Sequence, residues 1–194
     1  MFNIFKKKPE QKPKQKQKQK GIESYLLDAF EAFEAGNFWE AAGQFEAIAL
    51  VEADHPFANL MMGRSLIEMG EYEKAINALF NQLKIDPNSV EALIYLGLTY
   101  YECGEFEQAM ERYEQAFQIR RTSILVRENM AIARLTAGEL DKALDDLVAL
   151  HEEKPEDPGI TELLVLALGK LGKWEAAKRY VYRLKDVDLS TLKD

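Results

Sequence analysis

The residues with the most chemistry in them are few and poorly spaced for catalysis. The only thiol, Cys103, directly precedes Gly104 and is expected in a packed slot between helices, where thiols are inert. The two histidines, His55 and His151, have no nucleophile at a motif spacing. Gly169-Lys170 and Gly172-Lys173 lack the spacing of a phosphate-cradling loop. Two histidines and one cysteine are too few for a zinc site, and the many carboxylates read as solvated helix faces. The chain therefore reads as non-enzymatic, with no catalytic residue, no metal, no cofactor and no small-molecule substrate. One basic pair stands out. Arg127 and Arg134 lie seven residues apart, on one face of a helix, just after Arg120 and Arg121. A guanidinium fork suits a carboxylate or phosphate, so the pair reads as a secondary basic site for an acidic partner. The competing reading is neutralisation by Glu107 or Glu114.

The composition sets the frame for these residues. A chain of 194 residues, 47% hydrophobic, is one domain or two with ample material for a core. A single cysteine permits no internal disulfide, and with no secretory signal a reducing, cytoplasmic compartment is expected. The longest apolar run, Leu163 to Leu168, is far short of a membrane span. The net charge of -8 argues against nucleic acid as a partner of the whole domain.

That charge is unevenly spread. Residues 1–21 hold eight lysines and one glutamate, +7 in all, which leaves -15 for the remainder. Lys and Gln alternate from Lys12 to Lys20, and such a segment cannot offset the entropy of ordering, so 1–21 is expected as a disordered polybasic tail. Its start differs: Phe2, Ile4 and Phe5 abut Lys6, Lys7 and Lys8. A short apolar insert beside a polybasic stretch is a two-signal anchor, so these six residues are expected to touch an anionic membrane surface, placing the protein peripherally on the inner face. The alternatives are a solubilising tail, an RNA contact, or docking into the chain's own acidic groove edge.

From residue 22 onward a 34-residue period accounts for the sequence. Gly36, Gly70, Gly104, Gly138 and Gly172 keep it, as do Ala41, Ala75, Ala109, Ala143 and Ala177. Two further columns agree: Phe38, Tyr72, Phe106, Leu140, Trp174, and Phe45, Leu79, Tyr113, Leu147, Val181. The frames are 22–55, 56–89, 90–123, 124–157 and 158–191, within one domain spanning 22–194. Each frame reads as two helices. In the third, Leu93, Leu96, Gly97 and Tyr100 mark one face, and Phe106, Ala109, Met110, Tyr113, Ala116 and Phe117 mark the next. The recurrent glycine fits a tight turn needing positive φ, and the small column Ala29, Gly63, Gly97, Ala131 permits close helix approach. Ser89, Ser123 and Asp157 are expected N-caps, with Pro56 and Pro158 in the first turns of helices.

The period, the Leu96-Gly97 pair, Tyr100, the alanine column and the closing prolines Pro87 and Pro155 make the chain resemble the tetratricopeptide repeat family over about 170 residues. The resemblance implies an all-α, right-handed superhelical solenoid of antiparallel helix pairs. It also implies a concave groove, lined by the first helices, that holds a partner's peptide or helix. Family members mostly scaffold, chaperone or assemble.

In the family, the second, fifth, ninth, twelfth and thirteenth residues of each frame face the groove. Carried over, the ninth are Phe30, Arg64, Leu98, Ile132 and Leu166, the fifth Leu26, Leu60, Ile94, Glu128 and Glu162, and the twelfth Phe33, Ile67, Tyr101, Leu135 and Gly169. The groove of the first three frames is thus expected to be apolar and aromatic, with Glu34, Glu68 and Glu102 as an acidic row beside it. An amphipathic partner segment with basic flanks would fit; the bland alternative is that these side chains pack on each other. The carboxylate clamp that some members use on heat-shock chaperones is not matched, since Ile94 and Leu98 precede Asn129 where the clamp needs Lys and Asn. The last frame carries a basic face from Lys178, Arg179, Arg183 and Lys185, with Tyr180 and Tyr182 left to be covered. The runner-up function is therefore a structural module that forms homo-oligomers through its repeat ends.

Overall fold

A computed structural model describes residues 21–181. Among them are ten α-helices and no strand: α1 (Ile22–Glu34), α2 (Phe38–Val51), α3 (Ala58–Glu68), α4 (Tyr72–Ile85), α5 (Val90–Glu102), α6 (Phe106–Ile119), α7 (Ile124–Ala137), α8 (Leu140–Glu153), α9 (Pro158–Lys170) and α10 (Trp174–Val181). Each helix packs on the next in sequence. First helices of successive repeats also touch, α3 on α5, α5 on α7 and α7 on α9, so they form the inner wall of an all-α solenoid of antiparallel helix pairs.

The recurrent columns each do one physical job. Gly36, Gly70, Gly104, Gly138 and Gly172 all adopt φ between 70° and 80°, the left-handed region that closes each helix pair. The alanine column is buried in all five repeats, letting α2, α4, α6, α8 and α10 seat closely on their partners. The small column faces the large one. A Cβ on Gly63 would meet Leu79 at 2.7 Å, and one on Gly97 would meet Tyr113 at 2.3 Å. Phe45, Leu79, Tyr113 and Leu147 are fully buried there, and each anchors the core of its repeat.

Helix starts follow the caps. The Ser89 hydroxyl accepts from Ala92 N at 3.3 Å and the Ser123 hydroxyl from Val126 N at 3.4 Å. The Asp157 carboxylate accepts from Gly159 N and Ile160 N at 2.9 and 3.3 Å, with Pro158 opening α9. Pro56 departs from expectation. It lies in a turn two residues before α3, because the cap position of that frame holds His55, whose ring reaches only one amide: Nδ1 accepts from Phe57 N at 3.3 Å. The Pro56 carbonyl is taken instead by the buried Gln82 amide at 3.0 Å.

The polybasic tail, including Phe2, Ile4, Phe5, Lys6, Lys7 and Lys8, lies outside the described residues, as do Tyr182, Arg183 and Lys185. No helix among the described residues is long and apolar enough to cross a membrane.

Candidate functional site

The inner wall divides into a filled half and an open half. In the first three repeats the groove side chains rest on the second helix of their own repeat or reach a neighbouring repeat. Phe33 meets Phe38 edge-on at 5.4 Å, and Phe30 meets Phe45 at 5.3 Å. The Arg64 guanidinium lies 4.8 Å from the Phe33 ring centre and 5.1 Å from that of Tyr95, bridging three repeats by cation–π contact. Tyr101 packs on Phe106 at 5.5 Å, and its hydroxyl hydrogen-bonds Thr136 of the next repeat at 2.9 Å. Leu26, Leu60 and Leu98 are half-buried, while Ile94 is 7% exposed and belongs to the core beneath. Among these residues Phe30 keeps the largest exposed apolar face. Glu34, Glu68 and Glu102 end α1, α3 and α5, and all three are exposed.

The open half lies between α7 and α9. A hollow of about 480 Å³ is lined by Leu125, Glu128, Asn129, Ile132, Glu162, Leu163 and Leu166, with Gly159 at its edge. Glu128, Ile132, Glu162 and Leu166 occupy the fifth and ninth frame positions already picked out from sequence. Leu125, Asn129 and Leu163 were missed. Leu125 falls at the second position, which the family rule already turns toward the groove, while Asn129 and Leu163 fall at the sixth, outside that rule. Leu125 is 54% exposed at this rim. Burial, then the neighbouring Asp157, raises the Glu128 carboxyl above its ordinary range, with Lys154 opposing. The hollow thus joins four apolar side chains to two carboxylates.

Arg127 and Arg134 point across to α8. Arg127 pairs with Glu153 at 2.6 Å and Arg134 pairs with Asp146. Their carboxylate partners are therefore on α8, two helices later in sequence than Glu107 and Glu114 on α6, because α7 packs on α8 within its own repeat. Both arginine side chains are under one-fifth exposed. At the far end, the Tyr180 ring meets His151 edge-on at 5.1 Å, so the preceding repeat already covers part of it. His151 and Thr161 are buried, and the Thr161 hydroxyl lies 3.3 Å from His151 Nδ1.

Cys103 is a correction. It caps the end of α5 and is exposed, since the residue before a left-handed turn glycine sits at the tip of the helix pair rather than between helices. Desolvation, then Glu105 and Glu102, raise its thiol above the usual value. Among the described residues, no group of three His, Cys, Asp or Glu side chains is arranged to hold a metal ion.

Comparisons with known proteins agree with this architecture. A family profile described as a tetratricopeptide repeat matches residues 90–123, and another described as a TPR repeat matches residues 63–104. Among solved structures, the crystal structure of MamA protein is 19% identical with a TM-score of 0.72, covering 84% of this chain and 88% of that one. A MamA RS-1 double mutant is 17% identical with a TM-score of 0.77, covering 89% and 97%. MamA 41-end from Desulfovibrio magneticus RS-1 is 17% identical with a TM-score of 0.76, covering 86% and 97%. At such identities the likeness concerns the fold. No curated protein matches the chain in sequence.

Proposed function

We propose that this chain, which belongs to the tetratricopeptide repeat family, is a non-enzymatic assembly adaptor that grips an amphipathic partner segment in the hollow between α7 and α9. Tetratricopeptide arrays are protein-interaction scaffolds, and the open question for any one of them is where the partner sits. The observation that carries the reading is the contrast along the inner wall. The aromatic row of the first repeats is occupied by its own neighbours, whereas the α7–α9 hollow of about 480 Å³ is apolar, open and acidic. Leu125, Ile132, Leu163 and Leu166 suit two or three large apolar residues at helical spacing. Glu128 and Glu162 suit a lysine or arginine beside them. Phe30, with Glu34 and the acidic row of Glu68 and Glu102, is a secondary contact along the same wall.

Peptides selected from a random displayed library on the full chain test this. The selected peptides should combine apolar residues at i, i+3 and i+4 spacing with a basic residue. Binding should be lost in Leu166→Glu and only weakened in Phe30→Glu. Loss confined to Phe30→Glu would move the site to the first repeats. Carboxyl titration gives an independent reading. The raised Glu128 value should fall toward the ordinary range when a basic peptide binds, since a facing cation favours the carboxylate.

A further inference from the structure

The outer helix of the first repeat breaks the pattern of its counterparts. α4, α6 and α8 each carry lysine or arginine among their outward polar residues, but α2, with sequence FWEAAGQFEAIALV, carries none and has only Glu40, Gln44 and Glu46 as polar residues. Trp39, Leu50 and Val51 are 67, 80 and 73% exposed on it. Large apolar side chains grouped on an outer face mark a surface that something covers. Two hollows, of about 470 and 400 Å³, lie between α2 and α4 on the outside of the solenoid, and they share Glu46, Met62 and Asn81. Together they make one continuous cleft running from Trp39 to Leu50, floored by Met62 and Leu66 of α3. Met62 and Met69 give it an adaptable lining.

The charge pattern identifies the occupant. The first repeat, residues 22–55, holds eight acidic residues and no lysine or arginine. Immediately before it stands the segment with +7, whose only large apolar residues are Met1, Phe2, Ile4 and Phe5. Of the two lysines on the α4 side of the cleft, Lys74 pairs with Glu71 at 2.8 Å and is also faced by Glu46, while Lys84 donates to the neutral Asn81 amide at 2.9 Å and keeps its charge. The α2 lip contributes Glu46 and no cation, and the rest of the first repeat adds seven more carboxylates outside the cleft. Residues 9–20, between Lys8 and Gly21, reach up to about 40 Å when extended, and the 13-residue α1 that packs on α2 is only about 20 Å long. Either end of the cleft is within reach. We propose that residues 1–8 dock in the α2–α4 cleft of their own chain, with Phe2, Ile4 and Phe5 against Trp39, Met62 and Leu66 and with Lys6, Lys7 and Lys8 outside it, toward Glu46 and the acidic first repeat. Tethering supplies an effective concentration in the millimolar range, so a contact weak between separate molecules is sufficient. The same residues that could enter a lipid surface are then held against the protein, and the acidic first repeat is the surface that competes for them.

Trp39 reports the contact directly. In the full chain, the triple variant Phe2→Ser, Ile4→Ser, Phe5→Ser should show red-shifted tryptophan emission and faster acrylamide quenching than the parent. That difference should vanish when both chains also carry Trp39→Phe. The tail substitutions lie outside the helical array, and circular dichroism checks that helix content is unchanged. Equal quenching in parent and triple variant overturns the proposal, whether or not the chain floats on anionic phosphatidylglycerol vesicles. A difference that persists in Trp39→Phe arises at Trp174 and also overturns it. Protection of Trp39 that grows with protein concentration makes a second copy the occupant and overturns docking within one chain.

Discussion

The Cβ that Gly97 lacks would stand 2.3 Å from Cε1 of Tyr113, a separation no real side chain tolerates. The pair is one instance of a rule along the array: where the second helix presents its largest residue, the first presents its smallest. Gly97 faces Tyr113, Gly63 faces Leu79, and the same frame positions hold Ala131 with Leu147. Gly97→Ala gains about 1 kcal/mol of helix propensity but overpacks a fully buried ring at a cost of about 1–3 kcal/mol. Overpacking wins, because the ring is rigid and fully buried in the core cluster that includes Val90, Ala116 and Val126. Urea unfolding should show a net loss. Adding Tyr113→Leu reproduces the pairing of the fourth repeat and should restore part of that loss. A Gly97→Ala chain as stable as the parent would refute the rule.

The caps make a second prediction. Ser89→Ala and Ser123→Ala each remove one acceptor from a helix start and should lower stability by about 1 kcal/mol. Asp157→Ala should cost more, since its carboxylate serves two amides at the start of α9. Thermal melts of the three single variants check the order, and equal losses would count against it.

Arg134 and Asp146 make a third. The guanidinium is 17% exposed and its Nε is buried without a hydrogen-bond partner, so its charge depends on Asp146. Asp146→Ala should destabilise by about 2 kcal/mol, within the range for leaving a desolvated polar group unpaired. Arg134→Met combined with Asp146→Leu should recover most of it, because shape is kept and no charge is stranded. A double-mutant cycle with no coupling would show that the pair is incidental.

Cys103 makes a fourth. Its exposure means that thiol reagents should reach it in the native chain, while desolvation and then Glu105 and Glu102 hold its thiol up. A raised thiol means less thiolate at any pH below the midpoint, so labelling should rise with pH around a midpoint above that of free cysteine. Glu105→Gln should lower that midpoint. A native midpoint at or below the free-cysteine value would refute the electrostatic reading.

Much of the fold was legible because the period is a statement about neighbours. Each repeat contacts only the next, so a residue that solves a local problem recurs every 34 positions: the left-handed glycine, the alanine at the helix crossing, and the Ser or Asp cap. The exception proves the mechanism. His55 occupies a cap position with a side chain that reaches a single amide, and α3 starts two residues late. The candidate site was less legible. The fifth and ninth positions included Glu128, Ile132, Glu162 and Leu166, but the sequence reading placed the partner groove in the first three repeats. Phe33, Arg64, Tyr95 and Tyr101 are large enough to bridge repeats and fill their own groove, and sequence spacing does not report that.

The sequence by itself determined the repeat, the helix pairs, their turns and caps, and the division into a basic segment and an acidic array. These depend on short-range physics, namely backbone φ, terminal amides and the burial of one helix on the next. Only the tertiary structure decided which inner surface stays open, which carboxylates meet Arg127 and Arg134, and that α2 leaves an apolar cleft outside. Those outcomes depend on how far each side chain reaches across a neighbouring helix, a property of the packed array that no single position carries.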